Sequence, residues 1–188
     1  TRHAEVAGSA EVKKTIPALA ALAGTIGDRQ VRNMGTLGGA LANSDPAADY
    51  PAAVLGLGAT INTNKRKIAA DDFFKGLFET ALQPGELITS VTFPAAKRAA
   101  YMKFKNQASR FAIVGVFVAD TGNGVRVAVT GAGPCAFRSK ELEAALSKSF
   151  TAEAAAGVKV SDKGLNKDLH ASAEYRAHLI TVMAKRAV

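Results

Sequence analysis

Two adjacent glycines and two nearby aspartates are the residues of this chain whose types and spacing could do chemistry. The glycines end the run Thr36–Gly39, and the carboxylates are Asp45 and Asp49. Because glycine reaches backbone angles that a Cβ atom forbids, this run predicts a turn whose main-chain N–H groups could cradle a polyanion. A Walker A lysine and the G-x-G-x-x-G spacing are both missing here, which indicates a different kind of site. Plain chain reversal before a helix is the competing interpretation.

The two carboxylates lie where a helix is expected to begin. Asp45 before Pro46 is typical of an N-cap followed by proline at the first helical position, and Asp49 would then fall in the first turn. The predicted helix covers residues 47–57, with Pro51 early enough for its missing N–H to do little harm. Both carboxylates would sit beside the glycine turn, although Asp45 could do no more than cap its helix.

Several ordered segments, spread over most of the chain, carry a stronger signal than any single motif. They read TRHAEV, IGDRQVRNMGTLGG, NSDPAADYPAAVLGLGATI, IAADDFF, GELITSVTFP, YMKFKNQASRFAIVG and VAVTGAG. Together they resemble the FAD-binding medium subunits of the molybdenum hydroxylases, the family of carbon monoxide dehydrogenase and xanthine dehydrogenase. The resemblance implies an α+β fold: the second subdomain of a vanillyl-alcohol-oxidase-type FAD-binding domain, then a small C-terminal domain with a three-stranded antiparallel sheet and helices.

The resemblance also implies which residues contact FAD. The run from Thr36 to Ala40 matches the second of the family's two glycine-rich flavin loops, and Asp49 matches a carboxylate that bonds the sugar-like chain of the flavin. Lys103 matches a basic residue near the flavin, with Lys105 as the alternative. A cation there would favour the reduced, anionic flavin by Coulomb attraction. The implied cofactor-binding residues are Thr36, Leu37, Gly38, Gly39, Ala40, Asp49, Ile26, Ile88 and Lys103.

Each of these assignments has a competing structural interpretation. Lys103 lies among apolar neighbours in a segment of strand character, where a lysine on the wet face of a sheet is ordinary. Ile26 and Ile88 would by default be core residues. No catalytic constellation is visible, and Asp71 and Asp72 are expected only to cap a short helix.

The family's first glycine-rich segment, which resembles AGGxSL, is not among these 188 residues. The opening residues Thr1–Glu5 match a point well inside the family's FAD domain. The resemblance therefore implies a fragment whose N-terminal subdomain was removed, is disordered, or is supplied by a separate chain that completes the FAD site.

The composition is that of a soluble globular protein, with 48% hydrophobic and 21% charged residues, enough to bury a core. Cys135 is the only cysteine, which excludes an internal disulfide and a cysteine-ligated cluster. Since His3, His170 and His178 are scattered, no metal site is predicted. No apolar run approaches the roughly twenty residues of a membrane span, and a cytoplasmic protein is favoured.

The chain is basic, with a net charge of +8 and a pI near 9.7. The basic residues are spread along the sequence, tryptophan is absent, and only 6% of residues are aromatic and able to stack on bases. A solvated basic surface, or one that docks an acidic partner subunit, is therefore preferred to a nucleic-acid interface.

The hydrophobic periodicity, and the residues that end helices and strands, divide the chain near residues 95–98. The prediction is an FAD-binding domain over residues 1–97 and the C-terminal domain over residues 98–188. In the first part, helices are predicted over Val12–Ala23 and 47–57, and strands over Thr60–Asn64 and Ile88–Phe93. In the second part, strands are predicted over Tyr101–Lys105, Ala112–Ala119 and a half-exposed Val125–Thr130, with a hairpin turn at Thr121–Gly124 and helices over Ser139–Ser147, Ala152–Ala156 and Ala171–Arg186.

The resemblance predicts a role in electron transfer, from iron–sulfur clusters through FAD to an external acceptor. Hydroxylation would take place in a molybdenum-containing large subunit, with a 2Fe–2S small subunit between, so that the molybdenum cofactor and the clusters lie on partner chains. Two alternatives stay open: a structural module that only docks on partner subunits, and a basic nucleic-acid binder.

Overall fold

The computed structural model describes residues 1–188 and has a mixed α+β architecture, which confirms the predicted fold class. The helices are α1 (His3–Gly8), α2 (Ala10–Thr15), α3 (Pro17–Gly24), α4 (Arg29–Met34), α5 (Leu37–Asn43), α6 (Tyr50–Leu57), α7 (Ala70–Phe73), α8 (Lys140–Lys148), α9 (Ala152–Ala156) and α10 (Ala173–Ala187). The strands are β1 (Thr60–Thr63), β2 (Lys67–Ala69), β3 (Phe74–Gly76), β4 (Glu79–Thr80), β5 (Ile88–Thr92), β6 (Arg98–Lys105), β7 (Ala112–Asp120), β8 (Val125–Thr130) and β9 (Phe137–Arg138).

Short helices dominate the N-terminal part. The helix predicted over Val12–Ala23 is two helices, because Pro17 cannot continue a helix that precedes it and instead opens α3 at its first position. Ile16 between them has φ −141° and ψ 69°, outside the helical region. The buried side chains of α3, among them Leu19 and Leu22, join the first hydrophobic core.

The glycine pair does not form a turn, so that prediction is wrong. Gly38 and Gly39 lie in the first turn of α5, where Thr36 is the N-cap and its Oγ1 accepts a hydrogen bond from the Gly39 N–H at 3.0 Å. The chain reverses instead at the other end of α5, where Ser44 takes a left-handed conformation with φ 48°.

The helix after the glycines begins later than predicted. α6 starts at Tyr50, and Asp49 occupies its N-cap position without a capping hydrogen bond from its side chain. Asp45 caps no helix: its Oδ1 accepts from the Ala47 N–H at 2.8 Å, which closes a local side-chain turn. Residues 45–49 thus form a connecting loop, and every residue of α6 is buried.

Two small antiparallel sheets follow, one with the order β2-β1-β5 and one formed by β3 and β4. The short helix α7 between them has Ala69 as its N-cap and no side-chain cap. The expectation that Asp71 caps this helix is therefore wrong, because Asp71 bonds arginines of the C-terminal part instead.

The C-terminal part is built on an antiparallel sheet with the order β6-β7-β8-β9. The three predicted strands are present, and the two-residue strand β9 adds a fourth at one edge. β8 is not half-exposed, since Val127–Thr130 are all buried.

Both faces of this sheet are covered, because each faces a different hydrophobic core. Phe117 and Ala128 belong to the first core, with α3, α6 and the small sheets. Val116 and Val127 belong to the second core, with α8 and α10. Successive side chains of a strand point to opposite faces, which explains why β7 is apolar along almost its whole length.

Candidate functional site

A cavity of about 360 Å³ lies between α1, the segment that follows α3, and the loop before α6. We call it the Asp49 cavity. Its lining includes His3, Ile26, Ala40, Asp49, Tyr50 and Phe111. A larger cavity of about 920 Å³ lies between α10 and residues 156–162, and its lining contains none of the predicted cofactor-binding residues. The chemistry of the chain therefore points to the smaller cavity.

Asp49 is buried and held by two side chains from β6. The Tyr101 hydroxyl donates to Asp49 Oδ1 at 2.6 Å, and Lys103 Nζ lies 2.9 Å from the same oxygen. Because alternate residues of a strand share a face, β6 delivers both side chains to one point. The second oxygen, Oδ2, accepts no hydrogen bond from the chain.

Lys103 does not lie on a wet face of the sheet, since its side chain is only 5% exposed. Besides pairing with Asp49, its Nζ donates to the Thr25 carbonyl at 3.0 Å. The ammonium group thus ties β6 to the end of α3 and neutralises the buried carboxylate. Removing one partner of such a buried pair is costly because the other charge is left uncompensated.

Burial controls the protonation of this group of residues. Burial raises the pKa of Asp49, while Lys103 and Tyr101 act in the opposite direction and favour the carboxylate. Burial, together with the neighbouring Asp49, raises the pKa of Tyr101 well above its ordinary value, so its phenol stays a neutral donor. Burial also lowers the pKa of His3, against the attraction of Asp49.

Two buried polar atoms beside the cavity have no hydrogen-bond partner: His3 Nδ1 and the Tyr50 hydroxyl. The two rings pack at a centroid distance of 5.2 Å. Gly35 leaves room for the imidazole, because a Cβ atom there would lie 2.5 Å from His3 Nε2. Unsatisfied buried polar groups cost about 1–3 kcal/mol each and are rare, so a pair of them beside one cavity calls for an explanation such as a bound ligand. The sequence interpretation missed both residues, since a histidine and a tyrosine on helices resemble core residues.

Groups of the C-terminal part fix the loop that carries Asp49. The carbonyl oxygens of Pro46, Ala47 and Ala48 accept hydrogen bonds from the Thr130 hydroxyl at the end of β8, from the Gly131 N–H that follows it, and from the Ala112 N–H at the start of β7. Both the side chain and the backbone of this loop are therefore bonded to residues far away in the sequence.

The N-terminal end of α5 offers less than a full main-chain cradle. The N–H of Leu37 donates to the Thr1 carbonyl at 2.9 Å, and the N–H groups of Gly39 and Ala40 bond Thr36. The Gly38 N–H has no acceptor, and a Cβ atom built on Gly38 would meet nothing within 4 Å. The predicted cradle is thus reduced to one free main-chain N–H, that of Gly38.

The structure brings together part of the predicted set. Ile26, Ala40 and Asp49 line the same cavity, and Lys103 stands directly behind Asp49. The residues from Thr36 to Gly39 begin the helix that carries Ala40. Ile88 lies outside the cavity lining, in β5, which packs against α5. Their contacts with a cofactor stay predictions.

No helix of the chain is both long and apolar enough to cross a bilayer. Histidine, cysteine, aspartate and glutamate side chains form no group of three or more that could hold a metal ion.

Two protein families match the chain. The FAD binding domain in molybdopterin dehydrogenase matches residues 1–96, and the CO dehydrogenase flavoprotein C-terminal domain matches residues 99–188. The two matches leave residues 97–98 between them, which is where the sequence-based boundary falls.

Among curated proteins, the chain is similar to the glyceraldehyde dehydrogenase medium chain of Sulfolobus acidocaldarius, with 36% identity over 76% of this chain and 55% of that protein. It is 34% identical to the nicotine 6-hydroxylase medium subunit of Paenarthrobacter nicotinovorans, over 99% of this chain and 71% of that subunit. A solved carbon monoxide dehydrogenase structure from Hydrogenophaga pseudoflava superposes with a TM-score of 0.85 at 33% identity, over 100% of this chain and 71% of the matched one. The chain thus spans about half to seven tenths of the length of these relatives.

Proposed function

Because the chain belongs to the family of FAD-binding medium subunits of the molybdenum hydroxylases, we propose that the Asp49 cavity and the adjoining end of α5 hold part of an FAD molecule. The observation that carries this proposal is a buried carboxylate on a residue of the cavity lining: Tyr101 and Lys103 bond Asp49 Oδ1, and no hydrogen bond reaches Oδ2. A buried carboxylate with one oxygen fully engaged and the other free is arranged to accept a hydrogen bond from a ligand.

The residues present fit one part of the cofactor. A volume of about 360 Å³ is near the lower end of ligand pockets and smaller than a whole dinucleotide needs. The lining combines apolar Ile26 and Phe111 with the Asp49 carboxylate, and the Gly38 N–H is free at the neighbouring helix end. We propose that a second segment, resembling AGGxSL, supplies the remaining contacts from the same polypeptide or from another chain.

When bound, FAD supplies the one- and two-electron chemistry that amino-acid side chains lack. Asp49 Oδ2 would accept a hydrogen bond from a hydroxyl of the sugar-like chain, and Ile26 would pack on the cofactor. Lys103 would act mainly through Asp49, because the ion pair at 2.9 Å leaves little net charge at this point. We therefore propose that Lys103 positions the carboxylate and has a weaker direct electrostatic effect on the flavin than a free cation would have.

We further propose that the chain passes electrons from a 2Fe–2S small subunit through FAD to an external acceptor, while a molybdenum-containing large subunit oxidises the substrate. The words medium chain and medium subunit in the names of the relatives support an assembly of several chains. A cytoplasmic location is part of the same proposal.

A visible absorption spectrum of the purified chain, followed by titration with FAD, tests the binding proposal. Flavin bands, or saturable quenching of FAD fluorescence, are expected. Asp49→Asn should weaken the affinity about tenfold, because it exchanges a charged acceptor for a neutral one. Asp72→Asn, at an exposed position without ion pairs, is the matched control. A wild-type chain that carries no flavin bands as purified and does not quench FAD fluorescence at any FAD concentration would refute the proposal.

Exposed apolar side chains favour a docking role as the second candidate function. Met34 is 78% exposed and Leu87 68%, and Leu77 and Phe78 form an exposed pair between β3 and β4. A docking module would be colourless and co-purify with partner subunits. A nucleic-acid binder, the remaining alternative, would show steep salt-dependent retention on nucleic acid.

A further inference from the structure

We propose that Thr130, at the end of β8, is a positioning residue that fixes the Asp49 carboxylate for its ligand. This inference rests on the proposed function, since it names the residue of the C-terminal part on which the geometry of the FAD site depends. Thr130 is fully buried and lies on neither the glycine-rich run nor the lining of the cavity.

The Thr130 hydroxyl reaches two carbonyls of the loop that precedes Asp49. Its Oγ1 lies 2.6 Å from the Ala48 oxygen and 3.0 Å from the Pro46 oxygen. A hydroxyl has a single proton, so the shorter contact takes the main share of a bifurcated bond. The peptide bond that Ala48 makes with Asp49 is thereby held directly.

Two main-chain N–H groups also donate hydrogen bonds to the loop that precedes Asp49. The Gly131 N–H donates to the Pro46 carbonyl at 2.7 Å, and the Ala112 N–H donates to the Ala47 carbonyl at 3.3 Å. Arg176 from α10, itself 2% exposed, donates to the carbonyls of Ile113 and Gly131 at 2.6 and 3.1 Å. Arg176 thus fixes the backbone at Gly131, which is one donor to the loop, and at Ile113, which follows the other donor, Ala112.

Gly115 gives Thr130 and Tyr101 the space they need. It pairs with Thr130 on the neighbouring strand, and a Cβ atom there would overlap the Tyr101 hydroxyl and lie 2.9 Å from Thr130 Cγ2. Tyr101 holds the Asp49 side chain while Thr130 holds its backbone. Both side chains therefore pack against Gly115, a residue that has no side chain of its own.

A purely structural role for Thr130 makes a different prediction. If the hydroxyl only satisfied a buried carbonyl, its loss would lower the stability of the chain and leave ligand geometry alone. A positioning role requires that its loss also changes the affinity for FAD and the circular dichroism of the bound flavin.

The test compares Thr130→Val and Thr130→Ala, which remove the hydroxyl, with Thr130→Ser, which keeps it. Thr181→Val is the matched control, because it removes a hydroxyl bonded to the Val158 carbonyl at 3.1 Å, far from the loop. On the intact 188-residue chain, two properties are measured: FAD affinity with flavin circular dichroism, and hydrogen exchange of the Ala47 and Ala48 amides without FAD.

Loss of the hydroxyl should weaken FAD binding about tenfold and speed exchange of both amides, while Thr130→Ser and Thr181→Val behave like the wild type. If Thr130→Val does not fold, Thr130→Ala decides, since it introduces no methyl group against the carbonyls. FAD binding equal to wild type in the folded variants that lack the hydroxyl would overturn the inference. A wild-type chain that binds no FAD would refute the proposed function instead. In that case amide exchange alone would test the positioning role, and unchanged exchange in Thr130→Ala would overturn it.

Discussion

At the scale of single residues, Gly38 and Gly39 are both helical, yet their surroundings differ. A Cβ atom on Gly39 would lie 2.8 Å from Thr36 Oγ1, the atom that caps the helix. A Cβ atom on Gly38 would meet nothing. The chain's own packing therefore explains the absence of a side chain at Gly39 but gives no reason for it at Gly38.

We predict that Gly38→Ala stabilises the ligand-free chain and weakens FAD binding. Alanine is preferred to glycine in a helix by up to about 1 kcal/mol, and the space around Gly38 is open. A cofactor that approaches the Gly38 N–H would collide with the added methyl group. Urea unfolding and FAD titration measure the two effects.

Gly24→Ala is the control for this substitution, because Gly24 is also helical and equally open. It should raise the free energy of unfolding to a similar or smaller extent and leave FAD affinity unchanged. Equal FAD affinity for Gly38→Ala and the wild type would place the cofactor away from the end of α5.

The candidate site could be predicted only in part from the residues. The resemblance pointed to Ile26, Ala40 and Asp49, which the structure assembles around one cavity. Tyr101 and Thr130 were missed because an aromatic or hydroxyl residue in an apolar strand has the same pattern as a core residue. Their function depends on partners distant in sequence, which a local pattern cannot reveal.

At the scale of elements, Glu86 joins two loops of the small sheet. Arg66 donates to its carboxylate at 3.0 and 3.2 Å, Thr63 at 2.7 Å, and the Gln83 N–H at 2.9 Å. These hydrogen bonds, with that of Arg66 first in importance, lower the pKa of Glu86 to about 2. In its ionised form, the Glu86 carboxylate therefore stabilises the connection between β1, β2 and β5.

We predict that Glu86 contributes to acid unfolding between about pH 4.5 and pH 2. Because its pKa in the folded chain is below the ordinary value of 4.5, its stabilisation is complete above that value and is lost as the pH falls towards 2. Glu86→Gln should be less stable than the wild type at pH 7, and the difference should shrink across this window. Urea unfolding at pH 7, 4.5 and 3 measures it.

Glu153→Gln serves as the comparison, since Glu153 is exposed and forms no ion pair. Its stability should follow that of the wild type at every pH. A stability difference for Glu86→Gln that stays constant from pH 7 to pH 3 would contradict the assigned role of the carboxylate.

The elements themselves were predicted where local signals agree with the tertiary structure. The strands from β6 to β8 and the hairpin turn at residues 121–124 follow from alternation and glycine. The start of α6 was placed too early because Asp45 and Pro46 have the sequence of a helix start. Carbonyls of that loop bond instead to Thr130 and Gly131, and these long-range bonds hold it in a non-helical conformation.

At the scale of the whole molecule, Asp71 joins the two parts of the chain. Its Oδ1 lies 2.6 Å from Arg126 and its Oδ2 3.2 Å from Arg138, on β8 and β9. Burial acts to raise the pKa of Asp71, but the hydrogen bond and charge of Arg126, with the charge of Arg138, outweigh it and lower the pKa. The stabilisation is therefore present at neutral pH and is lost as the pH falls through the lowered pKa.

We predict that Asp71→Asn lowers the free energy of unfolding by about 1 kcal/mol or less, because the side chain is 45% exposed and water screens the pair. The loss should shrink further in 1 M salt, where the Debye length is about 3 Å. Urea unfolding at low and high salt measures both, with Asp72→Asn as the control. A loss that does not depend on salt would mean that packing, and not charge, joins the two parts here.

The strand β7 lies between two cores, and this arrangement fixes the alignment of the sheet. An apolar strand with few polar landmarks has little in its own sequence to prevent it from slipping along its neighbours. Here a slip by one residue would turn Phe117 towards the second core and Val116 towards the first. Both cores would then be mispacked at once. The packing of each core therefore favours the same register of β7 independently, because the two sets of neighbours have no residue in common.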